Sequence, residues 1–144
     1  RGIAQHMGYG SYSAAVAEVS VDNRGRVKVH RMVLGVDCGV AVNPEQIAAQ
    51  VEGSVALGLG AAMYQELTVK DGRVVETNFD TYEIMRLAAF PKVETVVAPS
   101  GGFWGGVGEP TICVAAPSVL NAIHAAIGRP VRSLPLKNVD LRSA

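Results

Sequence analysis

Apolar and polar positions alternate weakly over 12–21, with Ala14 and Val16 on one parity and Val19 and Val21 on the other, and β-branched residues recur. The run Asp22-Asn23-Arg24-Gly25 reads as a turn, and Val27, Val29, Met32, Val33, Leu34 and Val36 as a second strand, so 12–36 predicts a hairpin. Arg26, Lys28, His30 and Arg31 mark the polar face where that second strand starts, and the apolar run at its end predicts deeper burial there.

The pattern changes at Asn43-Pro44-Glu45-Gln46: a capping side chain, a proline suited to the first helical position and an acid at the positive end of the helix dipole. A helix to about Gln65 follows, although Gly53, Gly58 and Gly60 each cost about 1 kcal/mol against Ala in a helix interior. Something must approach this helix closely, either a packed strand layer or a ligand. Strand segments at 67–69 and 73–75 around Asp71-Gly72 predict a second hairpin. Residues 78–87 fit a short helix or an irregular segment, and 92–98 a strand. A helix begins after Pro110 or Pro117, carries Val119, Leu120, Ile123 and Ile127 on one face, and stops at Gly128; 131–136 fits a last short strand. These elements describe an α+β fold: two β-hairpins and a further strand forming a mixed sheet, with two main helices packed on it.

Composition narrows the picture. A chain of 144 residues suits a single domain, 1–144, with one core. Acidic and basic residues balance at 13 each and no basic cluster occurs, so there is no footprint for nucleic acid. The longest weakly polar run, 112–127, is broken by Pro117, Ser118, Asn121 and His124 and does not read as a membrane span. Cys38 and Cys113 form no metal-binding spacing, His6, His30 and His124 are scattered, and no metal ligand is assigned. The chain opens at Arg1 without an initiator Met or signal-peptide pattern, and is read as a piece of something longer; localisation is not legible.

The candidate chemistry gathers in 101–110. Gly101, Gly102, Gly105, Gly106 and Gly108 allow positive φ and close approach to something flat or bulky, and Pro110 pushes Glu109 out of the helical region. One carboxylate is thus aimed before the helix begins. The loop lacks the ending of a P-loop and the order of a dinucleotide fingerprint. Gln50 shares a helix face with Ile47 and Ser54, which sets a long amide beside small neighbours.

The run Val36-Asp37-Cys38-Gly39-Val40-Ala41-Val42-Asn43-Pro44, followed by Gln50-Val51-Glu52-Gly53-Ser54, Gly58-Leu59-Gly60, Asp71-Gly72 and Gly106-Val107-Gly108-Glu109-Pro110, resembles the C-terminal region of the molybdopterin-binding large subunit of the xanthine dehydrogenase/aldehyde oxidase family. The 117–127 helix and the ending Val131-Arg132-Ser133-Leu134-Pro135-Leu136 look most like the β subunit of isoquinoline 1-oxidoreductase-type enzymes. The resemblance runs from about Tyr9 to about Leu136 and departs at Thr111, where many relatives have a second proline.

The resemblance implies that Glu109 is the catalytic base of a hydroxylation of an N-heterocycle or an aldehyde, with water as the oxygen source. It also implies that Gln50, Gly53, Ser54, Gly106, Val107 and Gly108 face the molybdenum cofactor, a molybdopterin in the cytosine dinucleotide form common among bacterial relatives. The expected partners are the rest of the large subunit and a small [2Fe-2S] iron–sulfur subunit, and the fragment by itself is expected to be inactive. Two other readings are open: a non-catalytic scaffold or interaction domain, and a free nucleotide-binding module.

Overall fold

The computed structural model describes residues 1–142 and is a two-layer α+β arrangement. Four strands form the main sheet in the order β1, β2, β3, β6: β1 (Gly2–Gly8), β2 (Ser11–Val21), β3 (Val27–Asp37) and β6 (Lys92–Val97). The first three are antiparallel neighbours and β6 runs parallel to β3, which makes the sheet mixed. Both helices, α1 (Pro44–Met63) and α2 (Ile112–Ile127), pack on one face, α2 across β1 and β2 and α1 alongside α2 toward β6. Between the layers lie Met32, Leu34 and Val36 of β3, Val51, Val55 and Leu59 of α1, and Val114, Val119 and Ile123 of α2. Among the described residues no helix is long and apolar enough to cross a membrane.

The first hairpin forms as expected, but the sheet gains a strand that apolar periodicity does not show. The inward residues of β1 include Gly2 and Ala4, opposite Ala15 and Ala17 of β2, and they are small because α2 lies so close: a Cβ on Gly2 would stand 2.1 Å from the Ala122 nitrogen. A strand whose inward face is glycine and alanine carries little hydrophobic signal. The Asp71-Gly72 hairpin also forms, with φ of 51° and 72° at its two turn residues. Its strands, β4 (Val69–Lys70) and β5 (Arg73–Val74), are exposed and make a separate two-stranded ribbon, so the hairpin adds nothing to the mixed sheet.

Asn43 caps α1 through its side-chain oxygen, which accepts from the Gln46 N–H at 3.2 Å. Residues 78–86 are irregular and lead into a single 3-10 turn, Leu87–Ala89. The second helix starts directly after Pro110–Thr111 and keeps Pro117 inside it, on an exposed position near its N-terminus, where only one backbone hydrogen bond is lost. It ends at Gly128 in the left-handed conformation, φ 76°. The last expected strand does not form: Pro130 and Pro135 bracket 131–134 and remove backbone donors from the segment, which closes instead in the 3-10 turn Leu136–Asn138.

Candidate functional site

The glycine loop that follows β6 is stitched to two other places in the sheet layer. The Gly101 and Gly105 N–H groups donate to the Gly39 and Cys38 carbonyls, each at 2.9 Å, and Gly106 N–H donates to the Tyr9 carbonyl at 2.8 Å. In return Ser11 Oγ donates to the Gly106 carbonyl at 2.6 Å. Asp37, the last residue of β3, accepts at one carboxylate oxygen from Gly39 N–H, Ser100 N–H and Ser100 Oγ at 2.9, 3.1 and 3.0 Å. Those donors, the Gly39 amide first, hold its carboxyl below the usual aspartate range. Gly105 shows why this loop needs glycine: a Cβ there would lie 2.1 Å from Ser11 Oγ and 2.4 Å from the Gly10 carbonyl oxygen. Gly101 is the only loop glycine with positive φ, at 77°. The close approach expected of this loop is thus made first to the protein's own backbone.

Glu109 follows, exposed, and its carboxylate makes no hydrogen bond to another of the described residues. Its backbone is fixed on both sides. The Glu109 carbonyl accepts from Ile112 N–H at 3.1 Å, a turn with Pro110 in the position that proline favours. Ser13 Oγ, on β2, donates to the Pro110 carbonyl at 3.0 Å. Thr111 has a fully buried hydroxyl that does not cap α2; it donates at 2.7 Å to Ser54 Oγ on α1, which in turn donates at 2.7 Å to the Val51 carbonyl. A chain of hydroxyls therefore joins the base of the Glu109 turn to the middle of α1.

Gln50 stands exposed on α1 and meets the loop: a Cβ on Gly108 would lie 3.6 Å from the Gln50 amide nitrogen. Beside that contact is a groove of about 290 Å³ lined by Gln46, Gln50, Ile47, Val42, Trp104 and Val107, among others. Glu109 is not among its lining residues and stands one position beyond Gly108. The structure therefore brings Gln50, Val107 and Gly108 together, with Gly106 pinned to Tyr9 beside them. Gly53 lies one turn further along α1, exposed, with nothing within 4 Å of its Cβ position. Ser54, one turn beyond Gln50, lies at the buried edge of that face, 2% exposed, with its hydroxyl engaged inside the protein.

Sequence reasoning passed over Gln46 and Trp104 on the groove wall, and Ser13 and Thr111 beneath Glu109. Trp104 carried a usable signal, since it is the sole tryptophan and sits inside the glycine run. Ser13 and Thr111 carried none, because their partners are 97 and 57 residues away. Of the helix glycines, Gly58 is explained by packing: its Cβ would stand 2.8 Å from the Ala115 Cβ of α2. Gly53 is not, because it faces open space.

A flat cofactor fits this wall. Three side-chain amides, those of Asn43, Gln46 and Gln50, line the groove together with the Trp104 side chain and the apolar Val42, Ile47 and Val107. Among the described residues no group of three or more His, Cys, Asp or Glu comes together.

Residues 2–91 match the family described as molybdopterin cofactor-binding domain. The chain is 32% identical over 138 residues to a membrane-bound aldehyde dehydrogenase [pyrroloquinoline-quinone] of Gluconacetobacter polyoxogenes, which covers 95% of the chain and 18% of that protein. It is 28% identical over 141 residues to the isoquinoline 1-oxidoreductase subunit beta of Brevundimonas diminuta, covering 94% of the chain and 18% of that protein. The fold superposes on the aldehyde oxidoreductase of Desulfovibrio desulfuricans with a TM-score of 0.76 at 26% identity, over 88% of this chain and 14% of that one. The chain spans less than a fifth of the length of each of these relatives. On the match over residues 2–91, and on a fold shared with molybdenum-binding subunits, the chain belongs to the molybdopterin cofactor-binding domain family of the xanthine dehydrogenase/aldehyde oxidase type.

Proposed function

We propose that this chain forms one wall of the active site in the large subunit of a molybdenum hydroxylase, where Glu109 is the catalytic base. The observation that carries the reading is the meeting of Gln50 with Gly108, which sets an exposed amide against the residue that precedes the exposed Glu109. The molybdenum cofactor, when bound, supplies the redox and oxygen-transfer chemistry. Gln50 donates and accepts hydrogen bonds at the cofactor's heterocyclic edge, with Gly53 and the 106–108 backbone leaving room for a flat ring. Ser54 belongs to this wall as a positioning residue, through Thr111. Glu109 removes a proton from the attacking oxygen nucleophile, a task that needs an approach of about 2.6 to 3.2 Å. A pre-proline residue tied to Ser13 and Thr111 through its neighbours holds that carboxylate in place without spending its own oxygens.

The substrate class we assign is an N-heterocycle or an aldehyde, oxidised with water as the oxygen source, and the cofactor the cytosine dinucleotide form. A small [2Fe-2S] iron–sulfur subunit would serve as the electron-accepting partner, and the 144-residue piece alone would not turn over. The scaffold reading called for a Glu109 loop turned away from the Gln50 face, whereas Gly108 lies against Gln50.

The test is Glu109→Gln in the intact subunit, loaded with cofactor and paired with its electron acceptor. Loss of a general base lowers kcat by about 10² to 10⁴, with molybdenum content unchanged. Retention of the hydroxylation rate removes Glu109 from the role. Gln50→Ala is expected to lower cofactor content at constant protein yield, read as molybdenum per subunit by elemental analysis.

A further inference from the structure

We propose that the helix-free face of the main sheet is the seat of a further polypeptide layer, apolar and uncharged at its centre, contributed by the remainder of the same large subunit. This rests on the reading that the chain is part of such a subunit.

The two faces of the sheet differ in what covers them. Both helices lie on one face, leaving the other open; Glu18, Arg31, Lys92 and Glu94 gather at one end of that open face, while the other end, apart from Gln5 and Asp37, presents apolar side chains rather than the polar ones of a water-facing antiparallel sheet. Ile3 and Met7 on β1, Tyr12 and Val16 on β2 and Val96 on β6 all point outward and are exposed, at 65%, 67%, 60%, 36% and 52%. They are neighbours by register, with Ile3 opposite Val16 and Met7 opposite Tyr12, so they form one patch rather than scattered singles.

The patch has a shaped centre and a neutral rim. Ala14 and Gly35 face each other in register, and a Cβ on Gly35 would meet nothing within 4 Å. With Gln5, Met7, Tyr12 and Asp37 around them they line a depression of about 610 Å³, room for bulky side chains from the covering layer. At the far end of the face the charges are already matched within the chain. Arg31 makes a paired contact to Glu94 at 3.0 and 2.6 Å, Lys92 reaches Glu94 at 2.8 Å, and Arg1 reaches Glu18 at 2.8 Å. Hydrogen bonds from Arg31 and then Lys92 lower the pKa of the Glu94 carboxyl to about 2, so it stays ionised and paired at neutral pH. Asp37 beside the depression is satisfied by the Gly39 and Ser100 amides and the Ser100 hydroxyl, so shape and apolar surface dominate the selection of the covering layer.

The occupant follows from length. In the curated relatives described above the matching segment is 18% of a single polypeptide, so more than four-fifths of each relative is available to cover this face. A second copy of the chain is the competing occupant.

The test is thiol accessibility in the intact subunit, using Val16→Cys and Val96→Cys in a Cys113→Ser background, since Cys113 is exposed and Cys38 is buried. Labelling by a small maleimide is followed in the native and urea-unfolded subunit over a dilution series. Both positions are expected to label at least about 100-fold more slowly in the native state at every concentration, as for groups reached only by opening of the structure. Native labelling as fast as unfolded labelling overturns the proposal, because the face is then open to water. Protection that disappears on dilution also overturns it, because the cover is then a second copy. The readout uses neither turnover nor molybdenum, so it stands or falls separately from the role of Glu109.

Discussion

Two hydroxyls decide how the Glu109 turn is held at the residue scale. Thr111 and Ser54 are 1% and 2% exposed, and their 2.7 Å hydrogen bond crosses from the start of α2 to the middle of α1. Removing one partner strands a buried donor or acceptor, at a cost of about 1 to 3 kcal/mol, whereas removing both restores an apolar contact. Ser54→Ala is therefore expected to destabilise the chain by about 1 to 2 kcal/mol. The double variant Ser54→Ala/Thr111→Val should cost less than the sum of the single changes, a coupling read from urea unfolding in a double-mutant cycle. Additive single effects would show that the two hydroxyls do not work as a pair. Here the sequence was partly legible. Glu109 and Gln50 stand out by their neighbours in the chain, a pre-proline position and a capped helix face. Ser54 also stood out, but periodicity could not say which way it turns, because that depends on a hydroxyl 57 residues away.

The helices were legible at the element scale from their ends: Asn43-Pro44 starts α1 and Gly128 stops α2. The strand β1 was not, because contact with α2 demands small inward residues and small residues carry no period. The odd glycine content of α1 separates into two causes, and substitutions should separate them too. A Cβ on Gly58 would stand 2.8 Å from the Ala115 Cβ and 3.3 Å from the Ile112 carbonyl oxygen, so Gly58→Val overpacks the helix contact and is expected to cost about 1 to 3 kcal/mol. Gly53 faces open space, and Gly53→Ala should stabilise the cofactor-free chain by up to about 1 kcal/mol through helix propensity. If Gly53 lies under the cofactor, the same change lowers molybdenum content in the intact subunit. Thermal unfolding of the apoprotein and metal analysis of the loaded subunit measure the two effects independently. A Gly53→Ala subunit with full molybdenum content would remove Gly53 from the cofactor wall.

The candidate site depends, at the scale of the whole molecule, on a loop that belongs to no regular element yet ties together the β1–β2 turn, the end of β3 and the start of α2. Gly105 is where the loop comes closest to the β1–β2 turn, since a Cβ there would stand 2.1 Å from Ser11 Oγ and 2.4 Å from the Gly10 carbonyl oxygen. Gly102 lies in the same loop with only Ser100 Oγ near its Cβ position, at 3.5 Å, and without positive φ. Alanine at the two places adds the same atom to the same loop, so the contrast isolates the close approach. Gly102→Ala should change stability by less than about 0.5 kcal/mol. Gly105→Ala must push the loop off the β1–β2 turn, which breaks the Gly106 N–H bond to Tyr9 and the Ser11 bond to Gly106. Amide exchange at Gly106 should then quicken by at least about tenfold in Gly105→Ala while core amides such as Leu34 keep their protection, because local opening leaves the sheet intact. Equal exchange at Gly106 in both variants would mean that the loop yields at no cost, and that Glu109 is positioned by α2 alone.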